Sequence, residues 1–234
     1  MNIVITGGSK GIGKTLAEKF AVTGNNIFIC ARGENDLIRT VREIKEKNDG
    51  VRVEYYVADL GTKESAVKIS EWLDACHVTP DVLINNAGQF LPGSIFNEQE
   101  GTLEKMMTVN LYSAYYLTRA LLPSMIKNIS GHIINMCSIA SLKAYANGGS
   151  YSISKHALMG FSRNLREEMK PYNIKVTSVF PGAVFTASWS GSNIDPNRIM
   201  EETDIAEMIY AAANLSPQAC VEDIIIRPQL GDLP

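Results

Sequence analysis

The sequence predicts an α/β fold in which a doubly wound, mostly parallel sheet of about seven strands lies between two layers of helices. One domain over residues 1–234 forms this three-layer α/β/α sandwich. Three observations predict it. Short apolar runs alternate with longer stretches of helical spacing along the whole chain. A glycine-rich stretch follows the first apolar run directly, and small or polar residues stand at the ends of the later runs. No linker, repeat or low-complexity segment interrupts the alternation.

Taken in order, Ile3-Val4-Ile5 is the first strand, and Ile12, Leu16 and Phe20 give the next stretch its helical spacing. Residues 26–31 form a second strand. Residues 35–48 form an amphipathic helix, with Leu37, Ile38, Val41 and Ile44 on one face and charges opposite. Residues 51–58 read as the third strand, 63–76 as a helix and 81–84 as the fourth strand. A long helix is expected from about 102 to 127, then a strand at 131–136 and a helix at 151–169. A strand at 174–179, a helix at 204–214 and a last strand at 223–226 complete the chain. Parallel β-α-β units of this kind take right-handed crossovers and bind ligands beyond the carboxyl ends of their strands. Those ends carry Gly7, Arg32, Asp59, Asn85, Ser138 and Pro181.

The stretch Thr6-Gly7-Gly8-Ser9-Lys10-Gly11-Ile12-Gly13 sits between a strand and a helix. That junction presents free backbone N–H groups and the positive end of a helix to a pyrophosphate. Gly7 takes the tight turn, Gly11 lets the backbone approach a ligand, and Gly13 permits close helix–strand packing.

Composition narrows the function classes. With 45% hydrophobic residues, 20% charged residues and a net charge of −3, nothing marks a nucleic-acid or anionic-membrane partner. Cys30, Cys76, Cys137 and Cys220 are scattered, which fits reduced thiols in a cytosol better than a disulfide framework. His77, His132 and His156 lack metal-ligand spacing, and each is expected on the surface or in the core, with no metal bound. Met1 runs straight into the first strand without a basic leader, and no apolar run reaches membrane-spanning length. A soluble, cytoplasmic protein is the expectation.

Between Ser138 and Lys155 the chain shows its candidate chemistry. Ser138 ends a strand, and Gly148-Gly149 leads to Tyr151-Ser152-Ile153-Ser154-Lys155. On a helix, Tyr151 and Lys155 share one face. A tyrosine titrates near 10, and bringing it to about 7 takes roughly 4 kcal/mol of preference for the phenolate. One cation at about 5 Å in an effective dielectric of about 20 supplies roughly 3 kcal/mol. Lys155 is therefore expected to do most of the tuning, while Ser138 holds a substrate oxygen.

Thr6-Gly7-x-x-x-Gly11-x-Gly13, Asp59, Asn85-Asn86-Ala87-Gly88, Asn110, Ser138, Tyr151, Lys155 and Pro181-Gly182 occur together and in this order. The chain resembles a short-chain dehydrogenase/reductase over nearly its whole length, and the resemblance implies a Rossmann-type fold binding NADPH or NADP. It implies Tyr151 as acid/base, Ser138 orienting the carbonyl, Lys155 binding the nicotinamide ribose, and Asn110 supporting a proton-relay water. On the same basis Ser9, Lys10 and Ile12 join the glycines at the cofactor, with Asp59 and Leu60 near the adenine. Asn85, Ala87 and Gly88 line the cofactor's central part, and Pro181, Gly182, Val184 and Thr186 meet the carboxamide. Asn86 is expected to stabilise a turn, and Ser154 has no assigned role.

The segment Pro181 to Thr186, Trp189 and the tail Ile226-Arg227-Pro228…Gly231-Asp232 are similar to bacterial sepiapterin reductases. That narrower likeness implies a pterin-like diketone as substrate, with Ser138, Ala140, Tyr151 and Trp189 around it. A 3-oxoacyl, sugar or xenobiotic carbonyl is the alternative. An epimerase or dehydratase shares the Tyr-x-x-x-Lys spacing but would need a sizeable carboxyl-terminal substrate domain. A non-catalytic NADPH-binding sensor would not need the full set of Asn110, Ser138, Tyr151 and Lys155. The helix over 102–127 is apolar on several faces (Leu103, Met106, Met107, Leu111, Tyr112 and Tyr115 among them), more than one sheet contact requires. With the resemblance, this points to a homodimer or homotetramer of a chain whose other partner is a small carbonyl compound.

Cofactor choice is read at residues 30–34. An acid at the end of the second strand would accept from a ribose 2′-OH and repel a 2′-phosphate. Here the strand ends Cys30-Ala31-Arg32, with Lys10 in the glycine turn and Glu34 as the competing acid two residues on. A lost charge-assisted contact costs roughly 1.5–3 kcal/mol. Arg32→Ala is expected to weaken NADPH binding about ten- to a hundredfold and barely change NADH binding. Titrating both cofactors against both proteins checks this, and equal losses would overturn the assignment.

Overall fold

The computed structural model describes residues 1–186 and 195–232. Seven parallel strands stand in the order β3-β2-β1-β4-β5-β6-β7. In chain order they are β1 (Asn2–Thr6), β2 (Asn26–Ala31), β3 (Val53–Val57), β4 (Val82–Asn85), β5 (Gly131–Met136), β6 (Ile174–Pro181) and β7 (Asp223–Ile226). The helices are α1 (Gly11–Val22), α2 (Glu34–Lys47), α3 (Lys63–Ala75), α4 (Thr102–Met107), α5 (Ser113–Lys127), α6 (Gly149–Met169) and α7 (Glu202–Ala213). The strand order reverses between β1 and β4, and the carboxyl ends of all seven strands meet one edge.

Side chains alternate across the sheet, as a period of two requires. Ile3, Ile5, Ile27, Ile29 and Ile84 face one core, under α1, α2 and α7. Val4, Phe28, Leu83, Ile133 and Val176 face the other, under α3, α5 and α6. Both faces are covered, which is why the strands are runs of Ile and Val rather than alternating polar and apolar residues.

The observed boundaries lie within two residues of those expected, with one exception inside the long helix. The expected long helix over 102–127 contains one π turn, Thr108–Tyr112, which separates α4 from α5 and carries Asn110. Its extra residue per turn rotates the helix face there, so helical periodicity does not reveal it. The helix carrying Tyr151 starts at Gly149, placing Tyr151 in its first turn. Strand β6 also extends to Pro181, beside Ile226. Proline lacks a donor, and the N–H of Gly182 continues the ladder to the Ile226 carbonyl at 2.8 Å.

All four cysteines are free. Among the described residues, no helix is long and apolar enough to cross a membrane and no cluster of metal-ligating side chains occurs. His132 is a core residue. The Thr177 hydroxyl gives its proton to the Val221 carbonyl, so His132 Nε2 donates to Thr177 Oγ1 at 2.7 Å. Nδ1 is left buried without a partner. Protonating it would bury an unpaired charge, and burial, helped by Lys175, pushes the imidazole down to about 4.

This folded value lies below the unfolded one, so the unfolded chain binds more protons between them. Stability present above pH ~6.5 is lost as pH falls towards about 4, with an upper scale on the order of 3 kcal/mol. The urea midpoint should fall over that interval, and His132→Gln should flatten the fall. An equal acid loss in the variant would remove His132 as its cause.

Candidate active site

The glycine turn is held from three sides. Gly7 and Gly11 adopt φ +65° and +59°, conformations that suit glycine. A Cβ on Gly13 would overlap the Gly7 carbonyl and the Asn86 amide. The Thr40 hydroxyl of α2 donates to the carbonyl of buried Ser9 at 3.0 Å, fixing the middle of the turn. Ile12 packs against the first core, leaving the opening turn of α1 free to present its backbone. Lys10 and Arg32 stand exposed beside the turn, and neither makes an ion pair among the described residues.

The Asn-Asn-Ala-Gly stretch divides its work. Asn86 Nδ2 donates to the carbonyls of Thr6 (2.9 Å) and Gly7 (3.3 Å), in the turn-stabilising role expected of it. The Thr6 hydroxyl accepts from the N–H groups of Asn86 and Ala87, each at 2.9 Å. The side chain of Asn85 requires a correction. It is buried, donating to Thr118 Oγ1 (3.0 Å) and Asn135 Oδ1 (2.8 Å), so it binds α5 to the sheet and does not line the cleft. Alternation explains this: Leu83 faces the second core, and Asn85, two residues on, faces the same way.

Gly88 permits a close approach at the heart of the site. A Cβ there would lie 3.2 Å from Asn110 Oδ1 and 3.4 Å from Lys155 Nζ. Asn110 accepts from Gln89 N–H (2.7 Å) and donates to the Gln89 carbonyl (3.0 Å) and to Ser154 Oγ (2.9 Å). Ser154 donates in turn to the Tyr151 carbonyl at 2.7 Å. The π turn, the strand end and the helix of Tyr151 are thereby joined. Gln89 and Ser154 escaped the sequence reading, although both adjoin residues it singled out.

Ser138 ends the chain's course from β5 and accepts from Ala140 N–H at 3.1 Å. Its hydroxyl also lies near enough to the Tyr151 phenol to favour the phenolate. Lys155 Nζ donates to the Met136 carbonyl at 2.7 Å and lies 5.9 Å from the centre of the Tyr151 ring. Burial pushes the Lys155 ammonium down to about 8. Burial likewise pushes the Tyr151 phenol up to about 12, against the lowering influence of Ser138. The expectation that Lys155 does most of the tuning, helped by a hydrogen bond or a nicotinamide charge, is not met in the ligand-free protein: desolvation is the largest influence, and the ammonium's bond is given to a carbonyl. Phe90, also missed in the sequence, packs edge-on against Tyr151 at 4.8 Å.

The remaining candidates surround this centre unequally. Asp59 is exposed, accepting from Gly61 N–H at 3.4 Å, while Leu60 turns into the second core. Ala87 packs on that core and Val184 on the first. Pro181 and Gly182 run beside the tail, which Arg198 holds by donating to the carbonyls of Gly231 (3.0 Å) and Asp232 (3.2 Å). Thr186 helps wall a cleft of about 480 Å³ with Thr15, Phe185 and Glu202. Ala140 is buried beneath Ser138, and Trp189 lies outside the described residues. The glycine turn and the two exposed cations could hold a phosphate-bearing dinucleotide. The phenol beside Ser138 could exchange a proton with a substrate oxygen.

Known proteins are similar to this chain over nearly its whole length. An uncharacterized oxidoreductase of Staphylococcus saprophyticus is 31% identical over 225 residues, covering 96% of each chain. A metagenomic short-chain oxidoreductase, solved in complex with NADP, superposes with a TM-score of 0.86 at 30% identity, covering 98% of this chain and 97% of its own. An alcohol dehydrogenase from the archaeon Thermococcus sibiricus, complexed with 5-hydroxy-NADP, reaches a TM-score of 0.91 at 26% identity over 100% of this chain and 98% of its own. The model of the short chain dehydrogenase family matches residues 1–197, and the chain belongs to that family of oxidoreductases.

Proposed function

We propose that this short-chain dehydrogenase is an NADPH-dependent carbonyl reductase. The observation that carries the reading is the meeting of Tyr151 with Lys155, whose Nζ lies 5.9 Å from the ring, beside a Ser138 hydroxyl that acts on the phenol. Bound at the glycine turn, NADPH would supply the hydride for the carbonyl carbon. Ser138 holds the carbonyl oxygen, and Tyr151 gives it the phenol proton, so the product is an alcohol. A phenol held near 12 keeps that proton at neutral pH, the protonation state an acid needs. Lys155 would bind the ribose, and Asn110 would support the path that returns a proton to Tyr151.

Arg32 and Lys10, exposed and without an ion pair among the described residues, support NADPH over NADH. Asp36 is engaged with Arg39. A pterin-like diketone is the favoured substrate, since Phe90 on the Tyr151 ring gives the mouth an aromatic wall suited to a flat bicyclic compound. We further propose assembly as a homodimer or homotetramer through the faces carrying half-exposed Leu103, Tyr112 and Ile153.

NADPH consumption with sepiapterin, diacetyl-type diketones and acetoacetyl thioesters tests the reading. Tyr151→Phe should lose about a hundredfold or more of turnover, the scale of general acid catalysis, while still binding NADPH. Lys155→Ala should lose both turnover and cofactor affinity. A Tyr151→Phe enzyme of near wild-type rate would overturn the mechanism.

A further inference from the structure

Gly148, the residue before α6, offers the helix no side-chain cap. The cap comes instead from 52 residues away. Glu98 accepts from Ser150 N–H at 3.2 Å and, through its other oxygen, from Ser150 Oγ. Ser150 is fully buried and directly precedes Tyr151. A carboxylate is well placed there, because the first turn of a 21-residue helix presents unpaired N–H groups and a positive dipole end.

Two further contacts press the Glu98 loop onto the same turn. Gly93 N–H donates to the Asn147 carbonyl at 3.0 Å. Gly149, at φ +38°, has no room for a Cβ, which would overlap the Gly93 carbonyl and lie 2.8 Å from Glu98 Oε2. At its other end the loop is held by Gln89, bonded twice to Asn110. Phe90, between these anchors, is the side chain that packs on the Tyr151 ring. The stretch from Gln89 to Glu98 is thus fastened at both ends and touches the phenol-bearing ring in between.

We propose that Glu98 is a positioning residue: by capping α6 through Ser150 it holds the 89–98 loop and Phe90 against Tyr151, and so sets the phenol for proton delivery. This rests on the reductase reading for its kinetic consequence. Glu98 does not touch the glycine turn in any hydrogen bond or ion pair, so its effect should fall on turnover and not on cofactor affinity.

The test compares Glu98→Ala, Glu98→Gln and Ser150→Ala in the full chain. Glu98→Ala should lower kcat about tenfold and leave the Kd of NADPH within about twofold. Glu98→Gln keeps an acceptor for Ser150 and should recover most of the loss. Ser150→Ala, which retains the backbone bond, should lose about threefold. Nuclear magnetic resonance of ring-labelled tyrosine, with the Tyr151 signal assigned by its absence in Tyr151→Phe, should show that signal displaced in Glu98→Ala and restored in Glu98→Gln. Unchanged kcat and an unmoved signal in Glu98→Ala would overturn the proposal, as would a parallel loss of NADPH affinity. If Glu98→Ala does not fold, Ser150→Ala decides by the same criteria. If the wild-type protein reduces none of the carbonyl panel, the reductase reading fails, while the Tyr151 signal still decides the positioning.

Discussion

The side chain of Asn86 and the hydroxyl of Thr6 together lock the carboxyl ends of β1 and β4 where the sheet changes direction. Two bonds run from the Asn86 amide to the carbonyls of Thr6 and Gly7, and two return from the backbone of Asn86 and Ala87 to the Thr6 hydroxyl. At about 1 kcal/mol net for each, the junction contributes on the order of 4 kcal/mol, yet its geometric effect is larger. It fixes the glycine turn against the end of β4, from which Ala87 and Gly88 follow. Gly13 makes it possible, since any side chain there would displace the Asn86 amide. The remaining site is assembled around this fixed edge.

Electrostatically, the ligand-free site is under tension. A phenol pushed up and an ammonium pushed down by the same burial both tend towards their neutral forms. A carbonyl from β5 keeps the ammonium hydrogen-bonded, which moderates the cost of placing it there. A bound nicotinamide ribose would give Lys155 further oxygen partners. Loading the site thus changes the balance that desolvation sets in its absence.

The layered fold was legible because strands covered on both faces must be apolar throughout, while their helices must be amphipathic. Tyr151, Lys155 and Ser138 were legible by type and spacing and Asn110 only through the family resemblance, and the fold brings Asn110 and Lys155 to Gly88. What escaped the sequence has physical causes. Asn85 and Asn86 look equivalent in one dimension, but successive residues of a strand face opposite ways, and only Asn86 reaches the turn. The effect of Lys155 on Tyr151 was judged from charge alone, whereas burial acts on both partners and needs three dimensions to assess. Glu98, Phe90 and Gln89 carry no motif. Their roles arise from a loop folding back on a helix 52 residues further along, a closeness that local periodicity does not encode.

The π turn at Thr108–Tyr112 has a consequence for how this chain can vary. Removing one residue there would yield a continuous, better-bonded helix, yet it would swing Asn110 about a quarter of a revolution away from Gln89 and Ser154. Local regularity and the placing of Asn110 therefore oppose each other within five residues. Shortening this segment would be favoured by the helix in isolation and opposed by the hydrogen bonds that Asn110 makes to Gln89 and Ser154.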